Sequence, residues 1–201
     1  TSLSRATNTA TTVITLGNTA TGAAKARAHV MGQMTLNSIK SFTVTGGHET
    51  VEEGIFHETI NFCALNKLPV LFICENNLYS VYSSMSVRQP KNRSIAKMVN
   101  AMGIKSFCIN GNDVCKVYEI TSRELSKIRS GLGPRFIEFK TYRWREHCGP
   151  NFDNDIGYRS EEEFLSWKEK DPIVKAKQEL LDNKLITERE INQIIKTIEK
   201  E

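Results

Sequence analysis

The stretch GGHETVEEGIFHETINFCALNKLPVLFICENN, Gly46 to Asn77, decides the fold. Two glycines close a strand expected from about Ile39 to Thr45. Residues from about Val51 to Asn66 read as a helix, with Ile55, Thr59 and Phe62 or Cys63 recurring at helical spacing. Val70 to Cys74 is an unbroken apolar run, as suits a strand covered on both faces of a parallel sheet. Two parallel strands joined by a helix deliver their carboxyl ends to one sheet edge, where ligands of such folds bind. Gly47-His48 and Asn77 are expected to converge there.

The alternation continues downstream. Ser94 is an N-cap candidate for a short helix. A strand is expected over Lys105 to Ile109. Asn112 or Asp113 caps a helix whose Val114, Val117, Tyr118, Thr121, Leu125 and Ile128 line one face. Another strand is expected from about Arg135 to Tyr142. Strands alternating with helices imply βαβ units. The fold class is therefore α/β, a doubly wound, mainly parallel sheet flanked by helices. After Arg159 the chain turns helical and charged. Ser160 with Glu163 and Thr187 with Glu190 have capping-box spacing, and Asp171-Pro172 is an N-cap followed by an N1 proline. Residues 1–159 are expected to form the α/β domain, divergent or truncated before about 46, and 160–201 a helical extension. Ile191, Ile194, Ile195 and Ile198 form a stripe for packing on the domain or on a partner subunit.

Bulk properties narrow the function classes. With 201 residues, 39% of them hydrophobic and 25% charged, the chain can bury a globular core. A net charge of +4, with no arginine run interleaved with aromatics, gives no footprint of nucleic-acid binding. No apolar stretch reaches the roughly 20 residues of a membrane span. The Thr-rich start lacks the basic and apolar regions of a secretion signal and reads as a truncated or partly mobile end. The five cysteines form no C-x-x-C pair. Cys63, Cys74 and Cys108 lie in apolar runs and are expected reduced and mostly buried, whereas Cys148 sits in a polar loop.

The Gly-Gly-His … Glu-Asn-Asn unit resembles the thiamine diphosphate motif, which opens with G-D-G or G-D-A and closes in N-N. The longer run VEEGIFHETINFCALNKLPVLFICENNLYSVYSSMSVRQP is similar to the α subunit of the E1 component of 2-oxo acid dehydrogenases, the pyruvate, branched-chain and acetoin enzymes. NGNDVCKVYE, GPRFIEFKTYRWREH and YRSEEEFLSWKEKDPI resemble the same family in the same order. Before Gly46 the likeness is faint, apart from TGAAKA, which resembles a small-residue helix of that family.

The resemblance implies an α subunit active only with a β subunit, as an α2β2 heterotetramer. It implies thiamine diphosphate and Mg2+ as cofactors, and oxidative decarboxylation of a small 2-oxo acid with acyl transfer to a lipoyl carrier protein. It also implies a cytoplasmic setting, or the mitochondrial matrix in a eukaryote, with neither nucleic acid nor membrane as partner. Asn77 matches the magnesium-binding asparagine, and Tyr79 the residue that offers its backbone carbonyl. Arg143 matches an arginine anchoring a loop. His147 matches the loop histidine that reaches the diphosphate and the reacting centre, the one expected catalytic residue. Gly47, His48 and Glu49 complete the cofactor-binding set.

His48 departs from the pattern, because it falls where the family has a magnesium-binding aspartate. Aspartate offers a charged hard oxygen, whereas histidine offers a neutral nitrogen suited to transition metals. Three explanations stand. The site has lost tight metal binding and the chain is a non-catalytic scaffold; Glu49 substitutes; or the diphosphate and carbonyls carry the metal. A zinc enzyme is the weakest rival, since no companion ligands have zinc spacing. His29 reads as structural, His57 and Glu58 as surface or intersubunit residues, and Lys91, Arg93 and Lys97 as a solvated basic face. The loop YRWREHCGPN differs from the commoner YRYHGHS type and points to an unusual 2-oxo acid.

Overall fold

The computed structural model describes the backbone of residues 12–15 and 42–200, with side chains from Thr50 onward. TGAAKA, His29 and the expected strand start at Ile39 lie outside the described residues.

Strand β1 (Thr12–Thr15) pairs in parallel with β2 (Phe42–Gly47). A 3-10 turn, His48–Glu52, leads into α1 (Gly54–Leu65). Strand β3 (Val70–Asn76) follows, then a short hairpin of β4 (Tyr79–Ser80) and β5 (Ser83–Ser84). Helices α2 (Met85–Arg88) and α3 (Ile95–Ala101) lead to β6 (Lys105–Asn110). Helix α4 (Val114–Arg129) crosses back to β7 (Arg135–Lys140). Three helices close the chain: α5 (Glu161–Lys168), α6 (Pro172–Asp182) and α7 (Glu188–Ile198).

The five-stranded sheet has the order β1-β2-β3-β7-β6, and every pairing in it is parallel. Its strands β3 and β7 are covered on both faces. On one, Phe56, Ile60 and Cys63 of α1 and Ile95 and Val99 of α3 pack on Val70, Phe72, Cys74 and Phe136. On the other, Ile120 and Ile128 of α4 pack on Leu71, Ile137 and Phe139. This two-sided burial is why β3 reads as continuous apolar sequence. It is the doubly wound α/β architecture that the alternation implies.

Local chemistry set the helix starts. Ser94, Asp113, Ser160, Asp171 and Thr187 each accept a backbone N–H at a helix N-terminus. Thr187 and Glu190 form the complete capping box, but Glu163 does not reach back to Ser160. The turn between β6 and α4 depends on Gly111, which donates to the Lys140 carbonyl at 2.8 Å. A Cβ there would meet Thr141 Cγ2 at 2.6 Å, so only glycine lets the two strand ends approach.

Three expectations are corrected. The buried face of α1 is Phe56, Ile60 and Cys63, not Ile55 and Thr59; Thr59 instead bonds the Ile55 carbonyl. On α4, Tyr118 and Val114 are exposed, and Ile120, Glu124 and Ile128 are buried. Glu124 is tolerated inside because Arg123, Lys127 and Arg135 all bond it. Burial alone would raise its pKa, but Arg123 and Lys127 outweigh burial and hold it low. Cys108 is exposed near the end of edge strand β6, whereas Cys63 and Cys74 are buried as expected. Burial pushes the Cys63 thiol up to about 12, which leaves it an inert packing group.

Candidate functional site

The carboxyl ends of β2 and β3 form the corner that the opening stretch points to. Gly47 pairs in register with Glu75, so the backbone turn beginning at His48 starts beside Asn76 and Asn77. The turn packs against β3 and β4. It is fastened from its far end. Glu52 accepts two bonds from Arg88, both at 2.7 Å, and one from Gln89 at 2.8 Å. Gly47, His48, Glu49, Asn77 and Tyr79 thus share one edge of the sheet.

The two asparagines have different tasks. Asn76 is buried, and its amide donates to Glu138 Oε1 at 2.8 Å while its oxygen accepts from Leu78 N–H at 3.0 Å. Glu138 Oε2 accepts from the Ala96 N–H, which ties the strand end to helix α3. Asn77 is half-buried, and its Oδ1 accepts from Tyr79 N–H at 3.0 Å. The result is a tight turn with Leu78 at φ 70°. An amide oxygen and a backbone carbonyl two residues on are hard donors, of the kind Mg2+ prefers. Among the described residues, no group of three or more His, Cys, Asp or Glu side chains could hold a metal ion.

The loop after β7 is anchored on this turn. Arg143 donates to the Val81 carbonyl at 3.0 Å and to the Tyr158 hydroxyl at 2.9 Å. Asp153 is wholly buried. It pairs with Arg159, lies 3.6 Å from Arg143 and accepts from the Tyr158 hydroxyl. Arg159 also donates to the Arg143 carbonyl at 2.6 Å and lies over the rings of Tyr142 and Tyr158. Burial, reinforced by the Asp153 bond, pushes the Tyr158 phenol up to about 12. Burial and then Glu163 push the Tyr79 phenol up as well. These phenols stay protonated donors at neutral pH.

His147 and Cys148 stand at the exposed tip of the loop. Behind them Arg145 donates to the Pro150 carbonyl and lies 3.8 Å over the Phe152 ring, and Glu146 bonds Asn151. The structure therefore brings Arg143 to the corner that holds Asn77 and Tyr79, and leaves His147 at the surface of the same loop.

Sequence reasoning missed Glu52, Arg88, Glu138, Asp153, Tyr158, Arg159 and Glu163. Glu138 carried a signal, a lone carboxylate inside the apolar strand RFIEFK. Glu163 carried a misleading one, its capping-box spacing from Ser160, and Glu52, Arg88, Asp153, Tyr158 and Arg159 carry none, because no periodicity or spacing marks which polar side chains the fold brings together.

The chain is similar in sequence to a known protein family. The family model described as "Dehydrogenase E1 component" matches residues 3–201. The pyruvate dehydrogenase E1 component subunit alpha of Rickettsia felis is 37% identical over 158 residues, covering 77% of this chain and 47% of the relative. The 2-oxoisovalerate dehydrogenase subunit alpha of Bacillus subtilis is 35% identical over 162 residues, covering 81% and 48%. The chain thus spans about half the length of the curated relatives it matches. Among solved structures, a transketolase from Campylobacter jejuni superposes with a TM-score of 0.43 at 24% identity, over 59% of this chain and 18% of that one.

Proposed function

The chain belongs to the dehydrogenase E1 component family, and on that premise we propose that it is an α-type subunit of a thiamine diphosphate-dependent 2-oxo acid dehydrogenase. Its part is the Mg2+–diphosphate half of a shared site. A β-type subunit supplies the other half in an α2β2 assembly, and a lipoyl carrier protein takes the acyl group. The observation that carries this reading is the Asn77–Tyr79 turn, set beside the end of β2 and locked from below by Asn76 and Glu138.

The donor set fits the group. Asn77 Oδ1 and the Tyr79 carbonyl would hold the metal, with Glu49 or His48 beside them. The backbone at Gly47 would lie against the diphosphate. Thiamine diphosphate, when bound, supplies the electron sink for decarboxylation of the 2-oxo acid. This chain binds and orients. Arg143 fixes the loop to the turn, and His147 holds or delivers a proton near the substrate, work suited to an imidazole. The stretch 1–159 would carry this chemistry, and 160–201 would support the loop and meet a neighbour. The isoleucines of α7, Ile194, Ile195 and Ile198, favour a partner there, since all three are exposed. The described residues include no helix long and apolar enough to cross a membrane. We place the chain in the cytoplasm, or in the mitochondrial matrix of a eukaryote.

Reconstitution with a co-purifying β-type subunit tests the reading. The mixture should release CO2 from a 2-oxo acid with an artificial electron acceptor, and each subunit alone should be inactive. A second reading, a scaffold without tight cofactor binding, is favoured by one observation, His48 in the aspartate position. An intact α/β complex that never decarboxylates any 2-oxo acid would favour it.

A further inference from the structure

Tyr79 stands between the turn at the end of β3 and the loop that carries His147. Its hydroxyl donates to Glu163 Oε2 at 2.6 Å. Its ring meets the Tyr158 ring edge-on at 5.2 Å. Tyr158 is itself gripped by Asp153 and Arg143, and Arg143 reaches Val81, two residues beyond Tyr79.

Glu163 is at the third position of α5, where a capping-box glutamate would fold back on the N-cap. The Glu163 N–H does make the cap bond, donating to Ser160 Oγ at 3.1 Å. The carboxylate instead crosses to Tyr79, 84 positions earlier in the chain. Its Oε1 is buried and has no hydrogen-bond partner. A helix start that forgoes its own box and buries a half-satisfied carboxylate needs a compensating bond, and a phenol donating to a carboxylate is of the stronger, charge-assisted kind.

We propose that the Tyr79–Glu163 pair is a latch that holds the His147 loop and the 77–81 turn in one register, with Glu163 as a positioning residue contributed by the C-terminal helices. The latch ties three segments at one point: the turn, the loop through Tyr158, and the first turn of α5. Its meaning for catalysis rests on the functional reading above, but the mechanical coupling does not.

Amide hydrogen exchange on the full chain, with no cofactor added, separates the two. Tyr79→Phe removes only the donor, and Glu163→Gln keeps a weaker acceptor. Tyr79→Phe should speed exchange across residues 144–157 by about tenfold, the worth of one charge-assisted bond, and leave β3 and β7 protected. Glu163→Gln should do the same to a smaller degree. The double variant should match Tyr79→Phe alone, because both changes act through one bond. Alkylation of Cys148 followed by mass spectrometry should quicken in parallel, with exposed Cys115 on α4 as the internal control. Unchanged loop exchange, or additive effects in the double variant, would overturn the latch. If Tyr79→Phe exposes the core strands too, the Glu163→Gln result decides on the same criteria. Failure of the unmodified chain and its β partner to bind Mg2+ and thiamine diphosphate would count against the functional reading and leave the exchange result standing.

Discussion

Asp153 lies wholly buried among Arg159, Arg143 and Tyr158. A buried ion pair adds little over an apolar substitute, but loss of one partner strands the other charge, at a cost of about 3–5 kcal/mol. Asp153→Asn should therefore lower stability by several kcal/mol in urea denaturation at neutral pH, with the loop losing protection first; a change within about 0.5 kcal/mol, the size of an ordinary surface substitution, would show that the pair is dispensable. Little of this was legible at the level of single residues. Arg143, His147 and Asn77 were singled out by resemblance, Asn77 also by its place at the end of an apolar strand. Asp153 and Tyr158 were silent, because a buried polar group and an exposed one are the same letter. Glu163 was misread outright: its spacing from Ser160 satisfies the capping-box rule, and a distant phenol takes its side chain.

Elements were easier to read than their faces. Caps and turns are local chemistry, so Ser94, Asp113, Asp171 and Thr187 mark helix starts where the sequence puts them. The side a helix buries depends on the sheet beneath it. On α4 three cations let Glu124 go inside and leave Tyr118 outside, which no periodicity rule anticipates. The docking of α6 has the same long-range character. Lys175 reaches Asp113 Oδ2 at 2.8 Å, while Asp113 Oδ1 caps α4 by accepting from Lys116 N–H. The Lys175 bond, then the cap, hold the Asp113 carboxyl below its ordinary value. A carboxyl depressed in the folded state stabilises above its unfolded pKa, near 4, and that contribution is lost as pH falls through the lower folded value. Amide shifts of α6 followed by NMR should accordingly report undocking as pH drops below about 4. Asp113→Asn keeps a capping side chain but loses the charge, and should leave α6 loosened at neutral pH with that acid transition absent. A transition that persists in Asp113→Asn would assign it to other groups.

At the scale of the whole molecule, the parallel sheet with helices on both faces follows from the alternation in the sequence, the strand order does not, and the parallel pairing of β2 with β3 sets their ends together. That edge is where a doubly wound sheet offers a ligand site. The sheet does not determine the charge at position 48, on which the strength of the proposed metal site would depend. The decisive measurement is calorimetric titration of thiamine diphosphate and Mg2+ into the complex of this chain with its β-type partner. Micromolar, Mg2+-dependent binding is expected, tightened by about tenfold in His48→Asp, the worth of one charged contact. No binding to an intact complex, with none restored by His48→Asp, would contradict the account and leave the fold without the cofactor site assigned to it.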